Sequence, residues 1–394
     1  MIRQLKFFLT AFIFCSTFAF GQSDSCNLQI SLLTCSPGAE LYSAFGHTAI
    51  RVKDEQRGMD LVFNYGTFND ADPDFYINFT KGLMNYALSY YPFVDFIDEY
   101  QYEQRGVTEQ ELTLTCEEKQ KLFEALRINT LEENRFYNYY FHSDNCTTRA
   151  KDMIAKNSID SIQFKNILPP RIPTYRNLIH EYLDKGKQYW SKLGIDILLG
   201  GNLDKRVSNE QAMFLPDYLA RGLDSAKHNG TSLVSRSPIL LPSVALPDES
   251  AWFTPFSLFM LVFVVIAALS FYPKTRSTKL WLAFDFIFFM VLGLLGLLLC
   301  TLWIVRIDDV CRNNYNLLWA LPLHIVTCVL VILKPKKWIS TYFKIIVGLS
   351  LLLAAAWFFL PQQLNPALLP LLGVIVVRSY WLSNKKEKRE TIKQ

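Results

Sequence analysis

A cysteine at the start of a predicted helix is the strongest candidate for a reactive group in this chain of 394 residues. Cys146 follows a short polar turn and precedes a segment with helical spacing at 149–156. Asp144 or Asn145 can cap that helix, which leaves Cys146 in its first turn. Unpaired backbone N–H groups and the positive end of the helix dipole stabilise a thiolate there. This position favours a nucleophile, whereas an isolated cysteine is more often a small buried core residue.

A thiolate needs a proton acceptor, and the best candidate is His47, 99 residues upstream. His47 opens a β-branched run that predicts a strand, and residues 60–66 predict its partner in a hairpin. That pairing would place Asn64 on the same face as His47, where it could orient the ring. The structural alternatives are a histidine packed on a strand and an asparagine that ends a strand before a turn.

The surrounding elements predict a mixed α+β domain. Further strands are expected at 28–34 and 111–116, and the second of these precedes an amphipathic helix at 117–128. Many aromatic residues between 75 and 102 suit a core, an acyl-chain groove or contact with a membrane surface. Residues 225–250 are interpreted as a polar linker. This order predicts that the Cys146 helix packs on the sheet that carries the histidine.

The composition divides the chain into two parts. The net charge is +4 and 51% of the residues are hydrophobic, but the apolar residues concentrate after about position 250. One soluble and one membrane part are therefore expected. The small charge, without a basic patch interleaved with aromatic residues, predicts no nucleic-acid partner. Residues 1–21 are typical of a secretory signal peptide, so the domain at 22–250 is expected outside the cytoplasmic membrane.

Apolar segments predict five membrane spans, at about 253–272, 280–304, 316–333, 339–360 and 366–382. Basic residues follow the first, third and fifth spans, whereas the two other loops have balanced charge or none. The positive-inside rule places the basic ends, including the tail at 385–394, in the cytoplasm. The chain is thus expected in a bacterial inner membrane, with a transmembrane bundle at 251–384 and a periplasmic domain before it.

Asp285 and His324 are singled out among the polar residues of the predicted spans. Asp285 lies near a cytoplasmic end and His324 lies nearer the middle of its span. Such residues are often functional, but Asp285 can reach Lys279 or lipid headgroups, and a neutral histidine needs only one partner. Both are interpreted as structural. No series of ionisable groups crosses the bundle, which argues against a transporter.

The cysteine pattern indicates at least one free thiol and no metal centre. Five of the eight cysteines are expected on the outer side, an odd number: Cys26, Cys35, Cys116, Cys146 and Cys311. Cys35 and Cys116 each end a Leu-Thr-Cys segment and are candidates for a disulfide bridge. No Cys-x-x-Cys or His-x-x-x-His array suggests zinc, so neither a metal nor a cofactor is expected.

The order of the candidate residues resembles that of circularly permuted papain-like proteins, in which Gly-His on a strand precedes Asn-Cys at a helix start. NlpC/P60-like and lecithin:retinol acyltransferase-like folds belong to this group. Four segments are more specifically similar to the Lnb family of lipoprotein N-acyltransferases: Leu-Thr-Cys-Ser-Pro-Gly at 33–38, Phe-Gly-His-Thr-Ala at 45–49, Tyr-Gly-Thr-Phe at 65–68 and Asp-Asn-Cys-Thr-Thr-Arg at 144–149. The similarity extends over nearly the whole chain, because that family joins a periplasmic domain to a transmembrane bundle.

The resemblance implies a fold and an activity. The implied fold is an α+β permuted papain-like periplasmic domain followed by an all-α bundle of five transmembrane helices. The implied reaction moves an acyl chain from a phospholipid, through a cysteine thioester, to the α-amine of the S-diacylglyceryl cysteine of an apolipoprotein. The family motifs make Cys146 the nucleophile and His47 its base.

Position in the sequence, rather than the family motifs, suggests roles for three more residues. Asn64 is the candidate third catalytic residue, and Asn145 and Arg149 are candidates for substrate binding. Arg149 lies one helical turn after Cys146 and can meet a phosphate bidentately, or it can be a solvated helix residue.

Two other functions fit parts of the sequence. A cell-wall cysteine endopeptidase or amidase would use the same dyad, but a soluble hydrolase needs at most one anchor rather than five spans. A non-catalytic membrane sensor would keep the fold without the chemistry. An acyl-enzyme trapped on Cys146 separates the three, because it would be a long-chain thioester, a peptidyl species or nothing.

Overall fold

The computed structural model describes residues 26–68, 74–244, 252–272, 279–333 and 337–384. The predicted signal at 1–21 and the tail at 385–394 lie outside the described residues. An α/β domain with a sheet forms the N-terminal part, and apolar helices form the C-terminal part.

An antiparallel sheet is the framework of the N-terminal domain. The described residues contain ten strands: β1 (Leu28–Cys35), β2 (His47–Asp54), β3 (Met59–Thr67), β4 (Asn85–Pro92), β5 (Val107–Leu112), β6 (Phe136–Asn138), β7 (Lys227–His228), β8 (Thr231–Ser232), β9 (Val234–Arg236) and β10 (Ile239–Leu241). The order in the sheet is β10-β5-β1-β2-β3-β4-β6, with β9 also paired with β5, while β7 and β8 form a separate ladder. Each pairing is antiparallel.

The predicted hairpin is confirmed, because β2 pairs with β3 and places Ile50 opposite Phe63. Alternate residues of these strands face different layers, as the two-residue period of a strand requires. Ile50 and Phe63 belong to a core with the Cys146 helix. Ala49 and Val62 belong to a second core on the other face of the sheet. The sheet is therefore covered on both faces.

Eight helices in the described residues accompany the sheet: α1 (Phe75–Lys81), α2 (Phe93–Tyr102), α3 (Cys116–Asn129), α4 (Cys146–Asn157), α5 (Tyr175–Lys185), α6 (Tyr189–Leu198), α7 (Asn209–Ala212) and α8 (Pro216–Ser225). The side chains of α2 pack on the face of Ala49, and those of α3 and α4 pack on the face of Ile50. The prediction that the Cys146 helix packs on the sheet is thus confirmed.

Two expectations about this domain were wrong. The predicted strand at 111–116 ends at Leu112, because Thr115 caps α3 in a reciprocal capping box with Glu118. The interval 225–250 is not a polar linker over its described part. Its strands β9 and β10 return to pair with β5 and extend the sheet.

Five apolar helices follow in the described residues: α9 (Pro255–Phe271), α10 (Lys279–Val305), α11 (Leu323–Leu333), α12 (Lys337–Ala355) and α13 (Leu368–Asn384). Three described segments are long and apolar enough to cross a membrane: Lys279–Val305, Asp309–Ile332 and Trp338–Ala355. α9 and α13 are shorter apolar helices. A helical membrane region is therefore present, and three of the five predicted spans reach the full length of a crossing.

The two polar residues of the spans have partners within the bundle. Asp285, for which Lys279 or lipid headgroups were the expected partners, forms a buried bidentate ion pair with Arg378 of α13, at 2.7 and 2.9 Å. His324 contacts the Tyr342 hydroxyl at 2.9 Å and the Trp319 carbonyl at 3.2 Å. The first contact joins α10 to α13 and the second joins α11 to α12, which fits the structural interpretation of both residues.

The α/β domain packs directly on the membrane region. The backbone N–H of Gly200 donates to the Val310 carbonyl at 2.8 Å, and Asn365 Nδ2 donates to Asp196 Oδ2 at 2.9 Å. Asp196 is also paired with the fully buried Arg176, at 2.8 Å. Buried polar groups of this kind favour one relative arrangement of the two parts, because any other arrangement would leave a buried polar group without its partner and raise the free energy of the folded state.

Candidate active site

Asn145 places Cys146 in the first turn of α4. The Asn145 Oδ1 accepts the backbone N–H groups of the two residues after Cys146, both at 2.9 Å. Its Nδ2 donates to the carbonyls of Phe141, at 2.8 Å, and Phe214, at 2.9 Å. An amide side chain has two acceptor sites and two donor hydrogens, so these bonds use its whole capacity. The geometry therefore makes Asn145 a helix cap, and the same residue lines the cavity described below.

His47 begins β2 and meets both Asn64 and Cys146. His47 Nε2 lies 2.5 Å from Asn64 Oδ1, and the ring also interacts electrostatically with the Cys146 thiol. Because an amide oxygen only accepts, Nε2 carries the proton in the neutral ring. Nδ1 is then the nitrogen with a free lone pair that can take the thiol proton. The three residues predicted as a catalytic group are thus brought together.

Asn64 is itself held in one orientation. Its Nδ2 donates to the Tyr91 hydroxyl at 3.2 Å, and that hydroxyl donates to Glu99 Oε2 at 3.5 Å. Since a carboxylate only accepts, the Tyr91 oxygen is left to accept from Asn64, and the Asn64 oxygen must then face His47. Tyr91 and Glu99 were missed in the sequence because their contacts join separate elements of the fold.

Two threonines connect β2 to α4 beside the sulfur. The backbone N–H of Thr48 is hydrogen-bonded to the Cys146 sulfur. The Thr147 hydroxyl lies 3.8 Å from Cys146 Sγ and 3.0 Å from the Thr48 hydroxyl. Both threonine side chains are fully buried. The contacts of Thr48 on β2 and Thr147 on α4 thereby hold Cys146 close to the strand that carries His47.

The electrostatics of the pair favour the thiolate. Burial opposes ionisation of Cys146, but the His47 charge, its hydrogen bond and the Thr48 N–H outweigh burial and lower the pKa of the thiol from 9.0 to about 7. Burial also disfavours a charged His47. The Cys146 charge and the hydrogen bonds to Cys146 and Asn64 outweigh that effect and raise the pKa of His47 above its ordinary 6.5. A reactive cysteine next to a cationic group has these properties.

Gly66 of β3 lies against the pair, with a φ of +99° that favours glycine. A Cβ at this position would lie 3.6 Å from Cys146 Cβ and 3.8 Å from His47 Cε1. The strand backbone therefore forms one wall of the site at van der Waals distance.

A cavity of about 530 Å³ opens from Cys146 and His47. Its walls come from both parts of the chain and are mostly apolar. The α/β domain contributes aromatic side chains, namely Phe45, Phe68, Phe79, Tyr86, Tyr139, Phe141 and Phe214. The outer end of α10 and the turn after it contribute Leu302, Arg306, Asp308, Val310 and Cys311. A volume of this size is typical of sites for small organic ligands.

Arg149 is not brought into this cavity. Its guanidinium forms a bidentate ion pair with Asp144, at 2.6 and 2.8 Å, and stacks on the Tyr137 ring at 3.6 Å. These contacts explain why Arg149 is conformationally fixed on α4. The geometry therefore supports a structural role rather than the proposed contact with a phosphate. The arginines that do line the cavity, Arg105 and Arg306, were missed because they follow the ends of other elements.

The suggested bridge between Cys35 and Cys116 is wrong. The Cys35 thiol is buried and hydrogen-bonded to Tyr100, and burial raises its pKa to about 12. Cys116 instead lies near Cys26, whose thiol is 3.9 Å from the Cys116 carbonyl. The cysteines of the described residues, Cys146 included, form no disulfide bridge.

Fold and site together define a membrane protein whose α/β domain holds a cysteine–histidine–asparagine group at the end of an apolar cavity. Two family models match the sequence: the Lnb N-terminal periplasmic domain at residues 16–181 and the Lnb transmembrane domain at residues 247–390. The chain therefore belongs to the Lnb family, with a periplasmic N-terminal part and a transmembrane region. Among curated proteins and solved structures, none is significantly similar to this chain.

Proposed function

We propose that this protein is a lipoprotein N-acyltransferase. It moves an acyl chain from a phospholipid to the α-amine of the S-diacylglyceryl cysteine of an apolipoprotein, with Cys146 as the carrier. The observation that supports this proposal best is the position of the Cys146 thiol. It lines an apolar cavity that is also lined by the outer end of a membrane helix. An acyl chain fits such a cavity better than a peptidoglycan peptide, which is polar.

In the first half of the reaction, the Cys146 thiolate attacks the ester carbonyl of the phospholipid. The backbone N–H of Cys146, which as the first residue of α4 has no partner within the helix, is available to the oxyanion. His47, protonated by the thiol, then gives the proton from Nδ1 to the departing glycerol oxygen. A lysophospholipid leaves and a thioester remains on Cys146.

In the second half, the α-amine of the acceptor attacks the thioester carbonyl. His47 Nδ1 takes the proton that the amine loses, and the C–S bond breaks to return the thiolate. Because a thiolate is a good leaving group, aminolysis of the thioester is easier than direct aminolysis of the ester. Asn64 and Tyr91 keep the His47 ring in the orientation that both halves require.

The proposal includes the placement of the protein in the bacterial inner membrane. The five apolar helices α9 to α13 support a bundle of five crossings, in which the two shorter helices also span. The strand that carries His47 precedes the helix that carries Cys146, and the Asn64 amide contacts Nε2 of the histidine. This order and contact support a permuted papain-like arrangement of the domain. The proposed partners are the phospholipid donor and the diacylglyceryl apolipoprotein acceptor.

The test uses cells in which this enzyme is the only source of lipoprotein N-acylation. N-terminal peptides of lipoproteins are analysed by mass spectrometry after replacement by Cys146→Ala, Cys146→Ser or His47→Ala. Each variant should lose nearly all N-acylated product, and the double alanine variant should lose little more, because the two residues act as a unit. Cys146→Ser should fail because a hydroxyl ionises poorly even at a helix start.

The same proteins distinguish the alternatives. The purified native protein, mixed with phospholipid and no acceptor, should carry a long-chain acyl group on Cys146. A peptidyl adduct would support a cell-wall peptidase, and no adduct would support a sensor. N-acylated product that persists with Cys146→Ala would refute the mechanism.

A further inference from the structure

The short helix α1 is attached to the outer end of α10. The backbone N–H of Ile307 donates to the Lys81 carbonyl at 3.0 Å, and Arg306 Nη1 donates to the Phe79 carbonyl at 2.5 Å. These carbonyls belong to the last turn of α1, where a cation also interacts favourably with the helix dipole. The attachment holds α1 at the level where α10 ends.

Arg306 is a fixed part of this attachment. Its Nε and Nη2 bind the two carboxylate oxygens of Asp308, at 2.7 and 2.5 Å, and both side chains are largely buried. The Asp308 carboxylate in turn packs against Gly82, which ends α1 with a φ of +74°, so that a Cβ there would lie 3.3 Å from Asp308 Cγ. The close packing leaves α1 little freedom to separate from α10.

Apolar side chains around the attachment are exposed. Ile77 and Phe79 of α1 are 53% and 45% exposed, and Ile304 and Ile307 at the end of α10 are 80% and 50% exposed. A group of exposed apolar side chains on two attached elements marks an interaction site. Because it continues the surface of a helix long and apolar enough to cross a membrane, the occupant that fits it is the hydrocarbon of the adjacent leaflet.

The same place borders the cavity. Phe79 of α1 and Leu302 of α10 both line it, as does Arg306 between them. Ile77 lies outside the lining, on the surface of α1. Phe79 is thus an apolar side chain that is both exposed at the surface and part of the wall of the cavity that contains Cys146.

We propose that α1 and the outer end of α10, joined to each other, form the fixed edge of a lateral opening of the cavity, through which an acyl chain of a glycerophospholipid in the outer leaflet enters. The proposal rests on the proposed function, because it gives the route by which the acyl donor reaches Cys146. The headgroup stays at the membrane surface, and the ester carbonyl moves inward with the chain.

The first test maps the lipid contact without any substitution. The full-length protein is placed in phospholipid vesicles that contain a glycerophospholipid with a diazirine in its acyl chain, and labelled residues are identified by mass spectrometry after irradiation. Labelling at 75–81 and 302–307 should exceed labelling around Ile128. This residue of α3 is a matched control, since it is an isoleucine on a helix and is 45% exposed.

The second test measures the route kinetically. Thioester formation on Cys146 is measured with long-chain phospholipid in vesicles and with a monomeric short-chain glycerophospholipid in solution. Ile77→Asn should lower the ratio of the vesicle rate to the soluble rate by about tenfold, which corresponds to about 1.4 kcal/mol. Ile128→Asn should leave the ratio unchanged. A misfolded variant would lose thioester formation with both the vesicle donor and the soluble donor, which distinguishes misfolding from a blocked route.

The outcomes separate the two proposals. Labelling of α1 no higher than at Ile128, or an unchanged ratio in a folded Ile77→Asn protein, would overturn the lateral opening. If native protein acquires no acyl group on Cys146 from either donor while α1 is labelled, the proposed function fails and the opening to the leaflet stands.

Discussion

The ionisation of Cys146 should depend chiefly on His47. With a pKa of about 7, roughly half of the Cys146 thiol is ionised at pH 7, whereas a thiol at the ordinary value would be about 1% ionised. The difference in pKa between 9.0 and about 7 corresponds to about 3 kcal/mol in favour of the thiolate. His47 provides the largest contribution that lowers this pKa, so its removal should return the thiol to its ordinary range or above.

The assay is the rate of carbamidomethylation of Cys146 by iodoacetamide as a function of pH, followed by mass spectrometry of its peptide. In the native protein the rate should be half-maximal near pH 7, because the folded-state pKa lies below the ordinary one and the thiolate is present above it. In His47→Ala and His47→Gln the midpoint should move up by about two units, and the rate at pH 7 should fall roughly 50-fold.

Cys116 provides an internal control, because its thiol lies outside the cavity and is partly exposed. Its alkylation profile should be the same in all three proteins. Circular dichroism shows whether each variant is folded. A Cys146 midpoint that stays near pH 7 in a folded His47 variant would refute the reasoning, since the ionisation would then come from the helix start and the backbone alone.

Four further substitutions test other contacts. Asn64→Ala should lower acyl transfer less than His47→Ala, because it only orients the base, and Tyr91→Phe should act in the same direction more weakly; rates that equal those of His47→Ala would contradict the orienting role. Asp285→Ala leaves the buried Arg378 without its carboxylate and should destabilise the membrane region by about 3–5 kcal/mol, measured as a lower thermal midpoint in detergent. A midpoint within error of the native one would show that the pair is not needed. Gly46→Ala should lower stability and activity together, because its φ of +78° is unfavourable for alanine and the new Cβ would lie 2.6 Å from the Cys35 carbonyl oxygen.

Local features of the sequence were sufficient to predict several elements. The Cys146 helix start depends on capping by Asn145, and a cap acts within four residues of its helix. The hairpin that carries His47 and Asn64 follows from the alternation of two neighbouring strands. By contrast, Leu112 to Cys116 satisfied a strand pattern and a helix cap at once, and only the side-chain contact of Thr115 with Glu118 decided between them.

The sequence by itself determined which residues carry the candidate chemistry, the division into a periplasmic and a membrane part, and membership of the Lnb family. The tertiary structure decided which of these residues meet. Arg149 pairs with Asp144 and is not among the residues that line the cavity, whereas Tyr91 and Glu99 join the candidate catalytic group from other elements. The pairing of Asp285 with Arg378 and the wall formed by α10 were also decided there. Contacts between residues far apart in sequence depend on how whole elements pack. The spacing of residues within one segment predicts that segment's own structure and not its packing against other segments.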